Sequence, residues 1–358
     1  MRRIEITPFS RRRWCSVAAA ALLGLHRMAR ATPLAGQQDG AWLDSARGRQ
    51  LPWRLRLPSA PGPWPLVLYS HGLGGNREGA AVWGQAWADA GSAVLHLQHP
   101  GSDTDTLRNG LAALRAAASA EQLLARVLDV RFALDEVERQ AGAGAGGVAE
   151  PWRSLRLDAI GLAGHSFGAQ TTQAVAGQRF PAAADVLALA DPRLRAFIAL
   201  SPSSPRDGRM TVAQAFGAIT RPFLAVTGSL DGDPFGLYDS GEPRARVFDG
   251  LPRGQRALLW LQGADHMSFG GSSARPVPAV GPFRRHGPAA SLEAVHRAVV
   301  ARVTALWWRA QLLGDADARA ALHVSGVSGL SGLSGLSGPL GLPGLQLGLG
   351  DSDRFTID

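Results

Sequence analysis

A serine hydroxyl attacks a carbonyl carbon only when a base takes its proton and a carboxylate holds that base in the right tautomer. This chain presents the three residue types, in that order, as Ser166, Asp231 and His266. The chemistry they allow is acyl transfer through a covalent intermediate on the serine. Ser166 is the centre of Gly164-His165-Ser166-Phe167-Gly168, a G-x-S-x-G pattern. Such a pattern turns a strand sharply into a helix. It puts the serine at positive φ, and side chains two positions before or after it would meet the neighbouring strand or helix. The following helix aims its N-terminus at the site and favours negative charge on a substrate oxygen.

That negative charge also needs backbone N–H donors. The residue after the nucleophile, Phe167, is expected to give one. The loop His71-Gly72-Leu73-Gly74 is expected to give the other, from Leu73. His266 is preferred as base because it follows a strand and comes last in the order serine, acid, histidine. His71, His96 and His99 precede the serine, His165 adjoins it and points elsewhere, and His286, His296 and His323 follow no strand end. Asp231 opens its loop as Gly228-x-x-Asp and is preferred as acid. Asp233 lies two residues on within reach of the same ring, and Asp265 is awkwardly placed next to His266.

Groups that meet like this are carried by loops at the carboxyl ends of parallel strands. The apolar runs at 66–70, 93–97, 159–163, 197–200, 223–227 and 258–261 read as those strands. Helices are expected at about 78–90, 121–139 and 291–313, with a further one starting near Ala169. The 121–139 segment is the most periodic, with Leu123, Leu124, Val127, Leu128, Val130, Phe132, Ala133 and Val137 on its apolar face. Residues 41–57 read as a hairpin turning near Arg47-Gly48, an antiparallel edge. The fold class is therefore α/β, a mostly parallel sheet of about eight strands with helices on both faces.

The formal charge of +8 has the look of a nucleic-acid signal, but its location argues against one. Residues 1–31 carry seven Arg and one Glu, which leaves only +2 for the rest. No basic stripe interleaved with aromatics occurs, so no nucleic-acid partner is expected. The single cysteine, Cys15, lies in the N-terminal segment. A chain processed after it has no Cys nucleophile, disulfide or Cys-based metal site. No His-x-x-x-His pair is present, and the glycines of 141–148 follow a helix and precede a strand, the wrong context for a dinucleotide fingerprint. No cofactor or metal is expected.

Residues 1–31 read as a twin-arginine export signal. Ser10-Arg11-Arg12-Arg13-Trp14 precedes the apolar Val17–Leu25, too short to span a bilayer, and Ala29-Arg30-Ala31 offers a cleavage site before Thr32. The expected location is periplasmic or secreted, with no stable membrane span. Residues 32–323 read as the catalytic domain and 324–358 as a Gly/Ser/Leu tail. Glycine recurs every third residue from 326 to 344, but with only Pro339 and Pro343 this reads as a flexible linker rather than a triple helix. Whether Asp353 to Ile357 docks stays open.

Taken together, YSHGLGGNRE at 69–78, QHPGSD at 98–103, GLAGHSFGAQT at 161–171, IALSP at 198–202, VTGSLDGDP at 226–234 and GADHMSFGG at 263–271 resemble a known group. It is the bacterial dienelactone-hydrolase-like group of the α/β-hydrolase superfamily, and the motifs are also similar to platelet-activating-factor acetylhydrolases and, more distantly, to cutinase-like polyester hydrolases. The resemblance covers about residues 40–323. It implies the α/β-hydrolase fold and ester hydrolysis through an acyl-enzyme on Ser166, without metal or cofactor. True dienelactone hydrolases use a cysteine where this chain has Ser166, so dienelactone is not the implied substrate. A small-molecule or lipid-like ester is. An acyltransferase with the same triad and a non-catalytic binding protein of the same fold are the competing readings. Residues 204–220 are a candidate cap, with Met210, Val212, Ala215 and Phe216 either facing an acyl chain or packing on the core. The oligomeric state is not legible.

Overall fold

A computed structural model of the chain describes residues 36–142, 151–181, 189–205, 208–232, 240–272, 290–325 and 347–358. The export-signal segment with Cys15, the glycine run after 142, Asp233, His286 and the Gly-every-third stretch lie outside these residues. Residues 37–358 form one unit.

Among the described residues nine strands make one sheet in the order β1-β2-β4-β3-β5-β6-β7-β8-β9. β1 (Gln37–Asp44) and β2 (Arg49–Arg56) form the expected hairpin, in register from Gln37↔Arg56 to Asp44↔Arg49. β2 then pairs antiparallel with β4 (Ala93–Leu97). β4, β3 (Trp64–Ser70), β5 (Leu155–His165), β6 (Leu194–Leu200), β7 (Phe223–Leu230) and β8 (Arg256–Asp265) all run parallel. β9 (Arg354–Ile357) closes the far edge antiparallel to β8. The ninth strand is the terminal segment whose docking the sequence left open.

Strand residues alternate between two cores, as a pleated sheet requires. Leu66 and Leu68 of β3 face one, Val67 and Tyr69 the other. The first core is covered by α4 (Ala120–Gly142) and α5 (Phe167–Ala176), and Trp42, Trp53 and Trp152 pin the hairpin to it with ring centroids 5.2–5.5 Å apart. The second is covered by α1 (Ala81–Asp89) and α8 (Ala290–Leu312) through Trp83, Trp87, Trp307 and Trp308. A Cβ on Gly161 would stand 2.5 Å from the Trp308 ring, so the glycine lets α8 lie close on β5.

The expected helix at Glu78 begins only at Ala81, because Ala80 has φ 56, outside helical space. Among the described residues five α-helices were not anticipated from periodicity: α2 (Thr104–Arg108), α3 (Leu111–Ala116), α6 (Val212–Phe216), α7 (Glu242–Gly250) and α9 (Ala316–Ser325). Of these, α7 packs beside β7 and β8. Among the described residues no helix is long and apolar enough to cross a membrane.

Candidate active site

The carboxyl ends of the parallel strands carry the residues singled out by type and spacing. β5 runs straight into Ser166 at φ 55 and ψ −114, and α5 starts at Phe167. Few non-glycine residues hold that backbone, and it persists here because the surroundings fix it: the Ser166 N–H donates to Leu200 O at 2.9 Å. The flanking glycines have steric reasons. A Cβ on Gly168 would stand 1.9 Å from the carbonyl oxygen of Ser70 in β3, and one on Gly164 would stand 2.2 Å from that of Gly168.

β8 ends at Asp265, and His266 opens a single 3-10 turn, His266–Phe269. Asp265 caps this turn. Its carboxylate accepts from the Ser268 N–H and hydroxyl at 2.9 and 2.7 Å, so it faces its own loop. Trp83 of α1 donates to Phe269 O at 2.9 Å and ties the turn to the second core. β7 leads into Asp231, which is fully buried. The three side chains meet: Ser166 Oγ lies 2.9 Å from His266 Nε2, and His266 Nδ1 lies 2.8 Å from Asp231 Oδ1. A carboxylate can only accept, so Nδ1 carries the proton and Nε2 is free to accept from the serine hydroxyl. Ser166 is half-buried, open enough for a substrate to reach it.

Asp231 has more partners than the imidazole. Its other oxygen accepts from the Ser201 hydroxyl at 2.5 Å and the Thr227 hydroxyl at 2.8 Å. Arg244 of α7 lies 3.2 Å from Oδ1 and donates to the backbone carbonyls of Asp231 and Pro202 at 2.7 and 2.9 Å. Burial, the largest influence, pushes the Asp231 carboxyl up. The Arg244 charge and the bonds from His266 and Ser201 outweigh it and hold the group below the usual carboxylate range. Ser201 itself sits at φ 58 at the end of β6, a second strained residue beside the first.

His165 turns away from the serine. Its ring donates through Nε2 to His266 O at 3.0 Å, which supports the backbone of that turn, and burial lowers it to about 3. The loop after β3 lies against Ser166: a Cβ on Gly72 would stand 3.5 Å from Ser166 Cβ and 3.2 Å from His165 Nδ1. Leu73 and Phe167 thus flank the nucleophile from two chain segments. Among the described residues no hydrogen bond engages the N–H of either. In the candidate cap, Ala215 and Phe216 are fully buried in the first core and Met210 and Val212 pack against it, so these side chains face the core.

Behind the loop lies a buried polar layer that sequence reasoning missed. Asp129 accepts from His99 Nδ1 at 2.9 Å and from Arg49 Nε at 2.7 Å. His99 Nε2 accepts from the Ser70 hydroxyl at 2.9 Å. The His99 N–H donates to His71 Nε2 at 3.0 Å, and His71 Nδ1 donates to Gly72 O at 2.6 Å. Burial lowers His99 to about 4 and His71 well below the usual imidazole value, so both stay neutral. Arg126 of α4, also fully buried, completes the layer. One signal was in the sequence: Arg126 and Asp129, three residues apart, interrupt the apolar face formed by Val127 and Val130.

Among solved structures, the chain is similar to a ferulic acid esterase from Streptomyces cinnamoneus, with a TM-score of 0.51 and 20% identity over 78% of this chain and 89% of that one. It is also similar to an esterase domain of a Rhodothermus marinus protein, with a TM-score of 0.47 and 18% identity over 77% of this chain and 99% of that one. A third is a 2,6-dihydroxy-pseudo-oxynicotine hydrolase, with a TM-score of 0.47 and 16% identity over 77% and 68%. No family model matches the chain, and no curated protein does. At these identities the likeness is one of architecture. With a parallel sheet whose strand ends carry the serine turn, the acid and the histidine in this order, the chain has the α/β-hydrolase fold.

Proposed function

We propose that this protein hydrolyses carboxylic esters through an acyl-enzyme on Ser166. The observation that carries the reading is the continuous chain from Ser166 Oγ through the His266 ring to the buried Asp231. His266 Nε2 takes the hydroxyl proton as Oγ bonds to the ester carbonyl carbon. The carbonyl electron pair moves onto oxygen, where the N–H groups of Leu73 and Phe167 receive it. Asp231 holds the imidazole and balances the imidazolium. When the tetrahedral adduct collapses, the C–O bond to the alcohol breaks and the alcohol leaves with the proton from Nε2. Water then repeats the sequence on the acyl-serine and releases the acid. The ferulic acid esterase with the same fold acts on an ester, which agrees with this reading. The substrate class is a small-molecule or lipid-like ester, reached at the half-exposed Ser166.

Two measurements test it. Turnover of p-nitrophenyl esters by the wild type, with a loss of roughly 10⁴-fold or more in kcat in Ser166→Ala, is the expected result. A fluorophosphonate should label Ser166 alone. Retained turnover in a clean Ser166→Ala preparation removes the proposal, and a transesterified product in place of free acid makes the protein a transferase.

The reading includes export, supported by the arginine-rich residues 1–31. Protein recovered from the periplasm or medium should begin at Thr32. Intact Met1 on exported protein would overturn that part.

A further inference from the structure

Arg126 is an unexpected residue for its place. α4 otherwise turns Val127, Val130, Ala133, Leu134 and Val137 into the first core, yet this fully buried guanidinium sits among them. A buried cation normally finds a carboxylate. The nearest on its own helix, Asp129, is engaged by Arg47, Arg49 and His99. Arg126 instead spends its donors on neutral acceptors. Nε donates to Ser102 Oγ at 2.8 Å, one terminal nitrogen to His71 O at 2.6 Å, and the other to Ser102 O at 3.3 Å and, at the long limit, to Gly72 O at 3.5 Å. Its carbon lies 4.5 Å from the centre of the Phe167 ring, a cation–π contact.

These partners converge on the two segments that supply Leu73 and Phe167. The peptide between Gly72 and Leu73 is planar and trans, so its N–H points opposite to its C=O. That C=O is held on the Arg126 side by His71 Nδ1 at 2.6 Å and the Gly75 N–H at 3.0 Å, with Arg126 behind them. The Leu73 N–H is thereby aimed away from Arg126. Ser102, held twice by Arg126, in turn accepts the Gly74 N–H at 2.9 Å and pins the far side of the loop. The Phe167 ring on the same guanidinium fixes the first residue of α5.

We propose that Arg126 is a positioning residue that presets both oxyanion donors, holding the His71–Gly75 loop by its carbonyls and the start of α5 by the Phe167 ring. Its charge, matched to neutral acceptors, also favours negative charge developing on the far side of those peptides. The inference rests on the ester-hydrolase reading and on Leu73 and Phe167 as the donors.

The test uses the full chain and three variants: Arg126→Lys, Arg126→Met and Ser102→Ala. Each is measured for kcat and KM on p-nitrophenyl butyrate, for melting temperature, and for inhibition by an alkyl trifluoromethyl ketone, which becomes an oxyanion once bonded to a serine. Losing one oxyanion donor costs on the order of 10²–10³ in kcat, and displacing it costs part of that. Arg126→Lys should therefore lower kcat about 10- to 100-fold with KM within about twofold, and Arg126→Met should lower it further. Ketone affinity should fall by the same factor as kcat/KM, which a general loosening of the fold would not produce. Folded Arg126→Lys with wild-type kcat and ketone affinity overturns the proposal. So does a loss confined to KM or to melting temperature. If neither Arg126 variant folds, Ser102→Ala decides. It removes one acceptor of the guanidinium and should cost roughly 3- to 10-fold in kcat and in ketone affinity together; no change in either overturns the proposal. A wild type that neither turns over esters nor labels at Ser166 fails the ester-hydrolase reading first, and this inference falls with it.

Discussion

Asp231 is held from four sides, by the His266 ring, the Ser201 and Thr227 hydroxyls and the Arg244 guanidinium. A carboxylate so fully bonded cannot rotate, and in the proposed mechanism it fixes which nitrogen of His266 carries the proton. Asp231→Asn tests this at nearly constant volume. An amide that turns its NH₂ toward His266 puts a donor where the ring needs an acceptor, so the tautomer reverses and the base faces the wrong way. The expected loss is roughly 10⁴-fold in kcat with KM little changed. A drop of less than about tenfold would mean that another carboxylate orients the ring. Spacing alone left Asp231 and Asp233 as alternatives, because two residues along a loop change the reach by only a few ångströms. The structure places Asp231 on the His266 ring, and the bond that Ser201 adds comes from a strand end 30 residues away, which spacing along one loop does not reveal.

At the scale of elements, what was legible follows from burial. β3, β5, β6 and β7 are enclosed on both faces by helices along their central stretches, so the residues there are apolar on both faces and the runs stand out. The serine turn was legible for a related reason: the backbone of β3 approaches α5 so closely that only glycine fits at Gly168, and that necessity is written as a motif. α2 and α3 were not read. They are one or two turns long, expose Leu107 and Leu111, and are held by local contacts such as the Asp103 cap on the Thr106 N–H rather than by a periodic stripe. β9 was left open because four residues carry no period; pairing with β8 and burial of Phe355 order it. The polar layer behind the loop was missed for the opposite reason to the strands. His71, His99, Arg126 and Asp129 come from three segments, and what each ring or charge does depends on which partner the topology brings to it.

At the scale of the molecule, burial among the described residues pushes the rings of His71, His96, His99 and His165 far below the ordinary imidazole value, which keeps them neutral. Burial is the leading cause each time, bringing His96 and His165 to about 3 and His99 to about 4, with His71 also far below its ordinary value. In the unfolded chain the same rings titrate near 6.5. Between pH 6.5 and about 4 the unfolded state therefore binds protons that the folded state refuses. Stability rises with pH through that window and is lost as pH falls through it. Each proton refused contributes up to about 1.4 kcal/mol per pH unit, so four approach roughly 5 kcal/mol per unit near pH 5. A total stability of about 5–15 kcal/mol cannot survive long on that slope. Asp129 and Asp231, both held below the usual carboxylate value, act in the same direction but lower: their contribution is intact above about pH 4 and lost beneath it. Urea unfolding at half-unit steps from pH 8 to 4 should thus show a plateau above pH 7. Below it the slope should steepen toward that of four protons, with cooperative unfolding between pH 5 and 4. Because the rings are buried, the slope should be nearly the same at 0.05 and 0.5 M salt, where a surface effect would be screened. A slope at pH 5 of one proton or less would mean that these rings accept protons in place, and the neutral hydrogen-bond chain from Asp129 through His99 and His71 to Gly72 would then be wrong.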